Sequence, residues 1–139
     1  MWVSRIAALA VLVAAPLLAF AQGRDQAPPN AFQTPSGNVH CLFSGGRMRC
    51  DVVEHHYEVP PRPADCRGDW GGRISLAARG PARLECLTRT HRDEDAFVLG
   101  YGARWIGPGI SCEAQEAGLR CANRQGRGFW VARGVLEMF

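Results

Sequence analysis

The chain has 139 residues, 16 basic and 13 acidic, for a formal charge of +3. That is one domain's worth of chain, and so mild a charge argues against a nucleic-acid binder. Every basic residue is arginine, which the codon bias of a GC-rich genome explains. The arginines are dispersed among acids, as where Arg92 precedes Asp93-Glu94-Asp95, in the manner of a solvated surface.

The first predicted element is a secretory signal over residues 1–21. Arg5 gives a short positive region, Ile6 to Leu18 is almost wholly apolar, and Ala19-Phe20-Ala21 supplies the small-x-small pattern read before cleavage at Gln22. The apolar run meets a polar segment at once, too soon for a membrane span, and no cysteine near the cut offers a lipid anchor. The expected mature chain is therefore exported, to the periplasm or beyond, with no membrane span. Residues 22–34, with Pro28-Pro29, read as a flexible lead-in, and residues 35–139 as a single β domain.

One cysteine pattern then occurs twice. Gly37-Asn38-Val39-His40-Cys41 runs on to Met48-Arg49-Cys50, and Gly109-Ile110-Ser111-Cys112 runs on to Leu119-Arg120-Cys121. Six cysteines in a small exported chain imply three disulfides. Strand alternation puts Val39, Cys41 and Phe43 on one face opposite Val52, Cys50 and Met48, around a Ser44-Gly45-Gly46-Arg47 loop. It likewise sets Ile110, Cys112 and Ala114 opposite Asn123, Cys121 and Leu119, around Gln115-Glu116-Ala117-Gly118. Directly opposed residues of an antiparallel pair lie within disulfide reach. The expected bonds are thus Cys41–Cys50 and Cys112–Cys121, which leaves Cys66–Cys86. Zinc frameworks use shorter cysteine spacings than these.

Between the hairpins, Glu54-His55-His56-Tyr57-Glu58 reads as a strand end, with His56 sharing a face with Glu54 and Glu58. Val59-Pro60-Pro61-Arg62-Pro63 is a rigid connector and Asp69-Trp70-Gly71-Gly72 a turn. Arg73-Ile74-Ser75-Leu76 and Ala82 to Leu87 alternate as strands around Gly80-Pro81. Thr88 to Asp95 is a charged loop. Ala96-Phe97-Val98-Leu99-Gly100-Tyr101 is nearly all apolar and predicts a strand buried on both faces. Phe129 to Arg133 closes the sheet, and Val135 to Phe139 forms a last short element. No segment after residue 21 keeps a helical period. With 16 glycines and nine prolines, the chain is expected to be all-β, a small disulfide-stapled sandwich or barrel with two disulfide-closed hairpins.

These landmarks resemble a family of small exported bacterial proteins known as a domain of unknown function. The resemblance rests on Phe32-Gln33-Thr34-Pro35-Ser36-Gly37-Asn38-Val39-His40-Cys41, Arg49-Cys50-Asp51, Pro60-Pro61-Arg62-Pro63, Cys66 and Asp69-Trp70-Gly71. Cys86, Tyr101-Gly102, Cys112, Gly118-Leu119-Arg120-Cys121-Ala122-Asn123 and Gly126-Arg127-Gly128-Phe129 follow in order. The chain departs from the family pattern at Arg127, where histidine is common, and at Thr88-Arg89-Thr90, where Asp-Thr is usual. The resemblance implies an exported, disulfide-bonded domain and supplies no activity.

Candidate chemistry is sparse. His55 and His56 are the metal candidates, adjacent and without a third spaced ligand, so no metal and no cofactor is expected. Ser36, Ser44, Ser75 and Ser111 lie outside any Gly-x-Ser-x-Gly elbow, and all cysteines are committed to bonds. No catalytic residue is therefore assigned. The strongest binding feature is the glycine-flanked Asn123-Arg124-Gln125-Gly126-Arg127-Gly128 loop, running into Phe129-Trp130 beside Tyr101 and Trp105. Arginine and aromatic residues together are what protein-recognition patches use. The expected function is a non-catalytic binding module whose partner is a protein or other envelope component, or a hydrolase that it inhibits. The alternatives are a small metal-dependent or carboxylate hydrolase and a passive envelope-stabilising protein.

Overall fold

Period-two alternation organises residues 29–139, which this computed structural model describes, into eleven strands and two antiparallel-dominated sheets. The expected signal peptide lies outside the described residues. The first sheet holds β1 (Ala31–Gln33), β2 (Val39–Ser44), β3 (Arg47–Val52), β4 (Asp69–Ala77), β5 (Arg83–Leu87) and β6 (Phe97–Val98), in the order β5-β4-β3-β2-β1-β6. The second holds β7 (Arg104–Gly107), β8 (Ile110–Gln115), β9 (Gly118–Asn123), β10 (Gly128–Ala132) and β11 (Val135–Met138), in the order β11-β10-β9-β8-β7. The sheets pack as a sandwich, and the fold is the expected all-β one with three disulfides.

Each repeated hairpin lies within one sheet. Cys41 faces Cys50 and Cys112 faces Cys121 in direct register, with Cα atoms 4.1 and 4.0 Å apart, and both bonds are buried on the inner faces. Cys66–Cys86 ties the long β3–β4 connection to β5. The first hairpin turns on only Gly45 and Gly46, both at positive φ, which matches the twist that a two-residue turn needs. Between the sheets, Phe32, Met48, Ile74, Leu76, Leu119, Phe129 and Val131 are fully buried. Trp105 joins them, 6.1 Å from the Phe32 ring and 5.4 Å from Phe43, and its indole N–H donates to Pro29 O at 2.8 Å.

Four expectations need correction. Asp69-Trp70-Gly71-Gly72 is no turn but the start of β4, with an irregularity before Arg73; Val59 and His55 cover the two glycines so closely that the strand passes beneath them. The segment around His55 and His56 is not a strand but an irregular connection. Only two residues of the apolar run form β6, an edge strand parallel to β1, with Phe97 and Val98 at least half exposed and Leu99 alone buried. An apolar run by itself does not distinguish a central strand from an edge. Residues 31–33, read as lead-in, form β1 between β2 and β6.

The route from β5 to β6 explains that edge. These strands lie on opposite sides of the first sheet, so residues 88–96 must cross its outer face. A strap over a sheet buries main-chain groups that need partners. The partners come from one row of polar side chains in register across five strands: Gln33, His40, Asp51, Arg73 and Glu85. Four of the five bond the strap directly. Arg73 donates to Arg89 O at 2.7 Å; Asp51 accepts from the His91 N–H at 2.6 Å; His40 Nδ1 accepts from the Asp93 N–H at 3.2 Å; Gln33 donates to Glu94 O and Ala96 O at 2.9 Å each. His40 Nε2 bonds Gly37 O at 2.9 Å, so both ring nitrogens are engaged. Beneath the strap Arg73 and Asp51 form a buried bidentate pair at 2.6 and 2.8 Å.

Removing one member of a buried, hydrogen-bonded pair strands the other charge, at a cost of about 3–5 kcal/mol. Asp51→Ala should therefore lose stability on that scale in urea unfolding. Acidification should act through neighbouring groups. Desolvation lowers the His91 imidazole from its ordinary 6.5, with Arg73 adding to it against Asp51. Partial burial raises the Glu85 carboxyl, but the Ser75 hydroxyl, Arg49 and Arg47 outweigh it and hold the group below its ordinary 4.5. Both folded pKa values are depressed, so both contributions are complete above the ordinary values and are lost as pH falls. Stability should decline first below about pH 6.5 and again below about pH 4.5; His91→Gln should flatten the first decline and Glu85→Gln part of the second.

Candidate functional site

With one sheet face strapped over, the outer face of the five-stranded sheet stands open. Its geometry follows from the phase of the alternation. Inward residues Ile110, Cys112, Ala114, Leu119, Cys121, Phe129 and Val131 are buried, so their neighbours in each strand must point out. Register places Arg104, Glu113, Arg120, Trp130 and Glu137 in one row across all five strands. Beside it run Ile106, Ser111, Ala122 and Gly128, with Phe139 hydrogen-bonded to Gly128 at the far end. Small residues make the floor, between Ile106 at one edge and Phe139 at the other. At Gly128 the strands approach so closely that a Cβ would collide with the main-chain oxygen of Cys121.

The face is charged at one end. Arg120, Arg124 and Arg127 are exposed, and among the described residues none of them pairs with an Asp or Glu side chain. Two of them are held. The Arg120 guanidinium lies 4.6 Å from the centre of the Phe139 ring, and Arg127 Nε donates to Phe139 O at 3.3 Å; Arg124 lies near Gly109.

The seven residues that the sequence nominates go to four places. Arg124, Arg127 and Trp130 lie on or beside this face. Trp105 and Phe129 are core residues, 3% and 0% exposed, and face the opposite way. Tyr101 is exposed at the other end of the sandwich, where it shares a shallow depression with Ser36, Asn38, Glu116 and Arg133. Asn123 is buried and its side-chain amide is fully used. Its Nδ2 donates to Ala77 O and Gly80 O, while Oδ1 accepts from the Gln125 and Arg127 N–H groups. It therefore builds the loop that carries the two arginines and fastens it to the first sheet. Gln125 adds a second tie by accepting from the Gly80 N–H at 2.8 Å.

The two histidines diverge. His55 stacks on Tyr57 at 4.8 Å and lies over Gly72 of β4, whereas His56 lies against Gly134 and bonds Arg133 O through its main chain. Burial raises the Tyr57 hydroxyl's pKa far above its ordinary value while it donates to Gly71 O. Among the described residues, no three metal-ligating side chains converge. Sequence reasoning missed Arg120, Ile106 and Phe139. The signal for Arg120 was present, since alternation turns it outward from the buried Cys121; the approach of Phe139 depends on β11 folding back along β10.

These placements make the tryptophans differ. Trp105→Ala should cost about 3–5 kcal/mol in urea unfolding, as core aromatic truncations do, and Trp130→Ala under about 1 kcal/mol. Acrylamide should quench the Trp130 emission and leave that of Trp105 shielded.

The model of a family of unknown function, DUF6636, matches residues 7–139. No curated protein and no solved structure matches the chain.

Proposed function

We propose, from the premise that this chain belongs to DUF6636, a family of unknown function, that it is an exported, non-catalytic binding module. Its partner is an envelope component or a hydrolase that it inhibits, and it meets that partner through the outer face of the five-stranded sheet. One observation carries this reading. Of the two sheet faces, one is closed by its own strap, and the other leaves Trp130, Arg120, Arg124 and Arg127 around a floor of small residues. Aromatic and arginine side chains on a flat, rigid surface supply large contact area and directed hydrogen bonds with little ordering cost. Three disulfides suit an oxidising compartment, which an exported module would occupy.

Site-specific photo-crosslinking in the producing cell tests the face. A photoreactive residue at Ala122 should give a discrete crosslinked species, and the same residue at Ser44, on the other sheet, should not. Arg127→Ala with Trp130→Ala should abolish the species while the melting temperature holds. Equal crosslinking from both positions, or a species indifferent to the double substitution, ends this reading.

A further inference from the structure

The class of partner can be narrowed, on the basis of that binding-face reading. We infer that the Arg120, Arg124 and Arg127 end of the face is a carboxylate-recognition site, and that its occupant is an acidic segment of a protein. The five ion pairs among the described residues engage Arg49, Arg73, Arg92, Arg104 and Arg133. Of the nine described arginines outside these pairs, three, Arg120, Arg124 and Arg127, belong to this face or its bordering loop. An arginine that merely solvates a surface is free to move, whereas Arg120 is positioned by an aromatic ring and Arg127 by the Phe139 oxygen. Positioning lowers the entropy lost when a planar guanidinium meets a carboxylate in bidentate fashion. The Asn123 scaffold adds to this, because its four hydrogen bonds fix the loop before any ligand arrives.

The rest of the face selects the single carboxylates of a protein segment over a densely sulfated or phosphorylated polymer. Along the central row the charges alternate: Arg104, Glu113, Arg120, then Trp130, then Glu137. Glu113 and Glu137 flank the site and would repel the closely packed charges of a sulfated or phosphorylated chain more than the sparser carboxylates of an acidic peptide. A protein surface can place its own basic groups opposite those two glutamates and an apolar side chain against Trp130. The floor of Ser111, Ala122 and Gly128 lets such a segment lie close to the sheet.

Titration of the full chain with poly-L-glutamate at low ionic strength tests this, with dextran sulfate run in parallel. Poly-L-glutamate should change the tryptophan emission, and the change should vanish in Trp130→Phe. The triple variant Arg120→Gln, Arg124→Gln and Arg127→Gln should weaken binding by at least about tenfold, and raised salt should weaken it too. Arg67→Gln, remote from the face, should bind as the native chain does. If the triple variant unfolds, the three single variants serve, each expected to lose roughly threefold. Absence of poly-L-glutamate binding, or binding indifferent to these substitutions, overturns the site. Binding of dextran sulfate in preference to poly-L-glutamate overturns the protein assignment. Should crosslinking from Ala122 persist when poly-L-glutamate fails, the face stands and the carboxylate site alone falls; should both fail, the face reading falls as well.

Discussion

The architecture depends on satisfying the main chain of one strap. To reach β6 after β5, the chain has to cross the whole first sheet, and an irregular segment pressed on a sheet has no ladder to pair with. Asp51 and Arg73 resolve this by neutralising each other and still offering the strap an acceptor and a donor. His40 and Gln33 extend the same row toward the edge. The strap delivers β6 alongside β1, and the next turn leads directly into β7, the first strand of the second sheet. Where the second sheet begins is thus set by a polar row on the first.

Such a row contributes more to uniqueness than to raw stability. A buried ion pair roughly balances desolvation against attraction, so an apolar replacement of equal shape often does as well. What apolar residues cannot do is choose the path of the strap, because they offer its N–H and C=O groups nothing. The disulfides work on the other side of the equilibrium. Each hairpin staple closes a short loop and removes about 2.5–3 kcal/mol of chain entropy from the unfolded state, while the core of Phe32, Met48, Ile74, Leu119 and Phe129 binds the sheets together.

The asymmetry between faces follows from these devices. One outer face has its polar groups consumed by the strap. The other keeps its groups for solvent or a partner, and the loop at its end is braced from behind. Asn123 and Gln125 reach back to Ala77 of β4 and to Gly80 in the turn that follows it, so the loop between and beside them sits on a fixed support. A site on a loop is generally imprecise; this loop is held like part of the sandwich.

Local pattern determined much of this. Alternation about each cysteine pair set the hairpin registers, Val39 with Val52 and Ile110 with Asn123, because a slip of one residue would turn every side chain to the wrong face. Proline and glycine punctuation placed the connector and most turns, and the same alternation already turned Arg120 away from the core. Tertiary structure alone decided the remainder. Whether Trp105 and Phe129 face a partner or the core depends on which side of their strand meets the other sheet. Whether Phe97 and Val98 lie inside or at an edge depends on strand order, which no periodicity encodes. The polar row of Gln33, His40, Asp51, Arg73 and Glu85 comes from five separate strands, and only their lateral pairing makes it one device. Local pattern records which face a residue takes within its own strand; which strand lies beside it is fixed by long-range packing and by where the chain can satisfy its main-chain groups.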